Sequence, residues 1–514
     1  MSGADYLPPD AMTLQAAGDA LSARLSVIAR GHSESDRTYY DTFDGLLQAE
    51  GLSVVHEDGQ LSLVERATGV EHATITIPQP TQPLLPMRLG PSAFRDALLP
   101  VVEVRALLPL VHVHSRQRAI DVLDEERKTV VRMTLEQSTV IISALNHRPL
   151  RPRVRLAAVR GYDDHLAALR DTLRHELGFK PADQPLVDEA VRAGGGVPGG
   201  TPSKISVPLA RGQRADAATV AILRALLHVI DANVAGTIAD IDAEFLHDFR
   251  VAVRRSRAVQ RELGGVFPPE PLAAFRTDFK WLQTISGDSR DLDVYVLDFD
   301  DMRAMVPEPM RAELEPLRGV LEGRRLVARR EMARALRSER AARILADWGA
   351  FLEDLVELDT EDRPDAARPV GEVAGQRIER VFRRMVKMGR AITSESPAED
   401  YHELRKKGKE LRYLLELYGT PLFEADVVKP MVKTLKGLQD VLGRHQDREV
   451  QMAMLHSLRD EVSARPGGPA ALMAMGALVQ RLGEDEQTAR GEFADSFAAF
   501  ASKSQRRLVK ETFV

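Results

Sequence analysis

LHDFRVAVRRSRAVQREL, residues 246–263, decides how this chain is read. His247, Arg250, Arg254 and Arg257 stand at offsets 0, 3, 7 and 10. At about 100° per residue those offsets share an arc of roughly 80°, so the segment is predicted as a helix with one cationic stripe. A second copy, YHELRKKGKELRYLLEL at 401–417, puts His402, Arg405, Lys409 and Arg412 at the same offsets, 155 positions later. Lys406 and Lys407 fall away from that stripe.

The duplication extends beyond the stripes. FKWLQTISGDSRDLDV (279–294) aligns with LKGLQDVLGRHQDREV (435–450), pairing Lys280 with Lys436, Gln283 with Gln439, Gly287 with Gly443 and Asp291 with Asp447 at an offset of 156. Matching pairs at nearly constant separation point to a duplicated unit and to two stripes lining one charged groove. Helical periodicity is sustained after Asp216, with helices expected near 216–242, 244–263, 270–286, 291–304, 308–340 and 341–356. After the proline-containing break TEDRPDAARP, more follow near 371–393, 399–418, 424–442, 446–464 and 470–508. Such a run of helices in each half suits twin bundles, about 216–358 and 370–508.

Ahead of this lies a different pattern. Residues 1–20 read as disordered. From 21 to about 160, short alternating or β-branched runs (LSVIA, LSVVHEDGQLSLVE, ATITI, VVEVRALL and VHVHSRQRAIDVLDEERKTVVRMTLE) suggest strands, with HEDGQ as a hairpin turn. A helix is expected near Asp163–Leu177, and AGGGVPGGTPSK opens a linker spanning 193–215. The fold class is therefore an α+β domain dominated by an antiparallel sheet (21–192), followed by an all-α domain of two duplicated bundles (216–508).

HDFRVAVRRSR, SRDLDV and HELRKKGKELRY, in that order, resemble the CHAD family, the conserved-histidine α-helical domain. That resemblance covers roughly 216–508 and implies paired helical bundles whose basic residues hold inorganic polyphosphate without hydrolysing it, with polyphosphate granules or polyphosphate-metabolising enzymes as associated partners. TYYDTFDGLLQAEGLSVV and LPLVHVHSRQRAIDV make the N-terminal part resemble a CYTH-type triphosphate tunnel. Active members of that family open on an alternating Glu-x-Glu-x-Lys strand. Here ARLSVIAR (Ala23–Arg30) is taken as that strand and carries no carboxylate, nor does the strand within RVRLAAVRGYDD. Because Mg²⁺ needs oxygen ligands for phosphoryl chemistry, the expectation is a degenerate domain with no catalytic residues, no metal and no cofactor. The enzymatic alternative is a metal-dependent triphosphatase or polyphosphatase acting there.

The residues expected to bind polyphosphate are the two stripes (His247, Arg250, Arg254, Arg257; His402, Arg405, Lys409, Arg412) with Lys280, Arg290, Arg377, Arg384, Lys433 and Lys436. Polyphosphate has no bases to read, so a binder needs rows of Arg and Lys making charge-assisted hydrogen bonds of roughly 1.5–3 kcal/mol each. Arg377, Arg380, Arg384 and Lys387 follow the same arc rule, and Lys433 and Lys436 suggest a facing basic helix. By contrast, the arginines of 324–343 spread round their helix and read as a solvated face. Each stripe histidine is either a phosphate donor or a structural cap, and His247-Asp248 also suggests a metal pair with no third ligand evident. Asp291 and Asp447 read as orienting arginines; Trp281 and Tyr413 read as core.

Composition bounds the partners. With 70 Lys and Arg against 76 Asp and Glu, the net charge is −6, so a basic site must be local. Aromatics are only 5% and are not interleaved with the stripes, which disfavours single-stranded nucleic acid, whose bases need stacking platforms. No cysteine is present, which excludes disulfides and thiolate metal sites. No secretory signal or membrane span is legible, and a cytoplasmic protein is expected.

Overall fold

The computed structural model describes residues 5–10 and 12–513. It divides after Ser203 into a sheet unit and a helical unit.

Among the described residues the sheet unit contains ten strands: β1 (Asp5–Leu7), β2 (Val27–Asp41), β3 (Leu52–Glu57), β4 (Gln60–Glu65), β5 (Glu71–Thr76), β6 (Leu108–Leu123), β7 (Thr129–Ser143), β8 (Asn146–Pro149), β9 (Arg153–Ala158) and β10 (Lys180–Pro181). They form one antiparallel sheet in the order β10-β1-β9-β7-β6-β2-β3-β4-β5, with β8 added to β7. The expected hairpin is β3–β4: Asp58 and Gly59 both have positive φ (49° and 77°), which matches the right-handed twist of the flanking strands. The sheet curls, so that Asp5 and Arg155 from one end and Glu57, Arg66 and Glu71 from the other line one chamber of about 240 Å³.

Three expectations for this unit need correction. Of the first twenty residues, Asp5–Leu7 form a strand and Leu14–Arg24 a helix. Thr13 caps that helix, and Ala17 and Leu21, one turn apart, bury against Ile120 and Leu135; residues 1–4 and 11 lie outside the described residues. ARLSVIAR is not one strand, since its first two residues end that helix and β2 runs on to Asp41. The longer strand does contain carboxylates: Glu34 and Asp36 are exposed and turned to Arg116 (2.9 Å) and His114 (3.1 Å), and Asp41 is buried, accepting from the N–H groups of Thr42, Leu47 and Gln48. VVEVRALL is not a strand, because Val101 and Val102 close the helix Ala93–Val102, anchored by buried Phe94, Leu98 and Val102.

In the helical unit the sequence periodicity becomes long helices: Ala215–Ala239, Ala243–Glu262, Pro269–Ile285, Gly287–Leu297, Glu315–Leu336 and Glu339–Asp354, then Val370–Ala391, Ala398–Leu414, Ala425–Ser463, Gly468–Phe500 and Lys503–Phe513. Ala215–Ala239 has the length and apolarity of a membrane span, yet its Ile222, Leu223, Leu226 and Ile230 are buried at the heart of the unit. The halves do not keep separate cores. One core joins Leu226, Phe249 and Trp348 to Leu411, Tyr418 and Leu435. A second joins Phe299, Leu317 and Leu321 to Leu455, Leu478 and Leu482. Shared cores bind the repeats face to face.

The helices expected at 424–442 and 446–464 are one helix of 39 residues. Gly443 costs about 1 kcal/mol of helix propensity relative to alanine, but Val441, Leu442 and His445 stay buried across it and hold the helix together. The equivalent Gly287 does mark a break, between Pro269–Ile285 and Gly287–Leu297. Residues 470–508 divide in turn, with Gly468–Phe500 and Lys503–Phe513 separated at Ala501 and Ser502.

Candidate functional site

Ala243–Glu262 carries the first stripe. Asp242 caps it by accepting from the N–H groups of Glu244 and Phe245, and Phe245, Leu246, Phe249, Ala252 and Val253 bury its other face. Ala398–Leu414 carries the second, anchored by Tyr401, Leu404, Leu411 and Leu414. In each, the apolar face seats on the shared core and so fixes where the cations point.

They point into the same groove. His247 and Arg254 from the first copy and Arg405, Lys409 and Arg412 from the second line a cleft of about 670 Å³, floored by Gln439, Gly443 and Asp447 of Ala425–Ser463. The local geometry is itself duplicated: a methyl added at Gly287 would meet a guanidinium nitrogen of Arg250 at 3.9 Å, and one added at Gly443 would meet Arg405 at 4.0 Å. The glycines leave room for the arginines to lie against their helices.

Electrostatics bears out the crowding. Burial, and then Arg405, Arg254 and Arg250, push the Lys409 amine down to about 8, with Asp447 opposing. Burial and Arg254 likewise push Arg250 down to about 10. Cations of both repeats are thus near enough to destabilise one another. Arg254 Nε is buried without a hydrogen-bond partner, a costly state unless an anion supplies the acceptor. Other groove cations are balanced: Arg405 donates to Asp447 (3.0 Å), Arg412 to Glu416 (2.6 Å) and Arg255 to Glu416 (2.8 Å). Asp447 therefore orients an arginine, as its sequence position suggested.

The remaining expected residues distribute unevenly. Arg250 lies behind the groove, donating to Gln283 O (2.9 Å) and Ser286 Oγ (2.8 Å). Arg257 and Lys280 line a neighbouring pocket. Arg290 turns to Ala243 O (3.3 Å) and Glu244 (3.8 Å). Arg377 is outside the groove lining, held by Asp365 at 3.1 Å in the turn that joins the halves. Arg384 is exposed and outside the groove lining, as are Lys433 and Lys436, although Lys436 stands one turn before Gln439 and Asp440. His402 is outside as well, its Nδ1 2.5 Å from Gln446 Oε1, so the two histidines are not equivalent. Of the arginines of 324–343, Arg324 pairs with Glu461 at the surface as the solvated reading expected, but Arg329 departs from it: it is buried against Asp293, which also holds Arg325.

Sequence reasoning missed Arg255, Arg444, Asp440 and Glu416, which also line the groove. Arg255 sits off the stripe arc and reaches the cleft only because the second helix packs beside it, a fact no single-helix pattern contains. Tyr413, expected in the core, packs on it and also lines the groove. Among the described residues, two side-chain groups have metal-compatible spacing: Glu244, His247 and Asp248, which adds a third group to the pair seen in the sequence, and His445, Glu449 and Glu486. Each has a competing cation nearby, Arg290 at 3.8 Å from Glu244 and Arg490 at 3.2 Å from Glu486.

A helical unit with shared cores and a cationic groove between duplicated helices is the class of structure these observations define. Residues 221–456 match the family model of the CHAD domain, a span that contains both stripe helices, and this region is a CHAD domain. Among solved structures, the chain is similar to the CHAD domain from the plant Ricinus communis, with 24% identity over 58% of this chain and 96% of that one, at a TM-score of 0.49. It is also similar to PptA from Streptomyces chartreusis, with 18% identity over 55% of this chain and 99% of that one, at a TM-score of 0.41. No curated protein matches the chain.

Proposed function

We propose that the groove binds inorganic polyphosphate and holds it without cleaving it. The observation that carries this reading is the meeting of His247 and Arg254 with Arg405, Lys409 and Arg412 in one cleft, with Lys409 pressed by cations of both repeats. An anionic polymer with one charge per unit relieves that repulsion along its length, and each charge-assisted hydrogen bond adds roughly 1.5–3 kcal/mol. Binding without hydrolysis is supported by the engagement of two groove carboxylates, Asp447 and Glu416, by arginines. The reading places the protein in the cytoplasm, at polyphosphate granules or beside enzymes that make and degrade the polymer.

The test is a competition titration of long-chain polyphosphate against single-stranded DNA and RNA on the full chain, run with a phosphate-release assay in Mg²⁺ or Mn²⁺. Preferential polyphosphate binding with no release supports the proposal. Preference for nucleic acid at equal charge, or rapid release, overturns it.

A further inference from the structure

The end of the first stripe opens onto a second basic pocket, of about 340 Å³, lined by Arg257, Gln260, Arg261, Arg276, Thr277 and Lys280. It lies between the last turns of Ala243–Glu262 and the middle of Pro269–Ile285, and Arg257 stands one turn beyond the groove residue Arg254. Four cations line it and no carboxylate does. Arg276 is fixed there by donating to Gln260 O at 2.6 Å, Arg261 by Glu410 at 3.0 Å, and Arg257 by Gln283. Burial and Arg261 lower the Arg257 guanidinium from its ordinary value. The Gln260 side chain is 0% exposed, and neither its Nε2 nor its Oε1 has a hydrogen-bond partner. Buried amides are ordinarily satisfied, so an orphaned one beside four cations points to a missing ligand.

The second copy keeps only part of this lining. At the offsets that align the repeats, Gln260, Arg261 and Arg276 become Leu415, Glu416 and Val432, while Arg257 and Lys280 keep their charge, as Arg412 and Lys436. The groove is a product of the repeat, whereas this pocket is an addition to one copy at one end.

A polymer has one feature that occurs at its ends alone. An interior phosphate offers two non-bridging oxygens and a single charge. A terminal phosphate offers three, with a second ionisation near pH 6, and so uses more donors and more positive charge. We propose that this pocket holds the terminal phosphate of a polyphosphate chain whose body lies in the groove, so that the protein grips one chain end. The proposal rests on the polyphosphate reading of the groove.

The experiment compares, on the full-length protein, the affinity for defined-length polyphosphate with free ends and for the same polymer with both ends capped as phosphoramidates. Capping is expected to weaken binding about fivefold or more through lost charge-assisted hydrogen bonds. Lys280→Gln and Gln260→Leu, the latter installing the residue of the other copy, are expected to weaken the free-ended chain while leaving the capped chain unchanged; circular dichroism confirms that both variants fold. Equal affinity of the wild type for free and capped chains overturns the end-binding proposal and leaves the groove reading standing. Failure of both chains to bind refutes the groove reading, and this proposal with it.

Discussion

Replacing Lys409 by methionine should make the ligand-free protein more stable and a poorer binder. Burial and the guanidinium groups of Arg405, Arg254 and Arg250 hold the amine at about 8, against about 10.5 in an unfolded chain. That difference of about 2.5 units corresponds to on the order of 3 kcal/mol of native-state penalty for the charged form, which residual solvent contact reduces to about 1–2 kcal/mol. The sign follows from proton linkage. Because the unfolded chain binds the proton more tightly, the penalty is fully present below pH 8, fades as pH rises, and is gone above about 10.5. Methionine fills the same volume without charge. Urea unfolding of the ligand-free full chain, followed through its helical signal, should therefore show Lys409→Met ahead of the wild type near neutrality. The two should converge at about pH 10.5. A variant less stable than the wild type at neutral pH, or a gain that persists unchanged to high pH, would refute the picture of a groove strained by its own cations.

Other consequences are simpler to check. Polyphosphate affinity should fall steeply with salt, with a log–log slope of several units for several phosphate contacts, as calorimetry from low to moderate ionic strength would show; a flat response contradicts an electrostatic grip. Affinity should also decline as pH rises through about 8, where Lys409 loses its proton. Arg377→Ala should leave binding within about twofold, because Arg377 is held by Asp365, yet lower stability by about 1 kcal/mol through a part-buried ion pair. Arg444→Ala, at a groove position paired with Glu492, should weaken binding by less than Arg254→Ala does.

The parts of the structure legible in the sequence are those written in local periodicity. The stripe offsets bring His247, Arg254, Arg405, Lys409 and Arg412 to one cleft because a rigid helix converts spacing into direction. The duplicated segment around Gly287 and Gly443 was legible for the same reason, although only the first glycine interrupts its helix. Illegible were the features that depend on what packs against what. Arg377 obeys the arc rule as well as Arg405 does, but it stands where Asp365 meets it. Arg255 breaks the rule and still reaches the groove across the interface between repeats. In the sheet unit, apolar residues at Val101 and Val102 suited a strand or a helix end equally, and the buried partners Phe94 and Leu98 decided the matter. The short strand at Asp5–Leu7 is specified by its neighbours β9 and β10 more than by its own three residues.

The central claim is that both repeats grip one polymer in one groove. It is tested most directly by the polyphosphate affinity of the wild type beside Arg254→Glu, in the first copy, and Lys409→Glu, in the second. Each single reversal should cost at least about tenfold, the loss of one charge-assisted contact and the gain of a repulsion, with helicity intact. A wild type that does not bind, or a reversal in either copy that leaves affinity unchanged, would contradict the account.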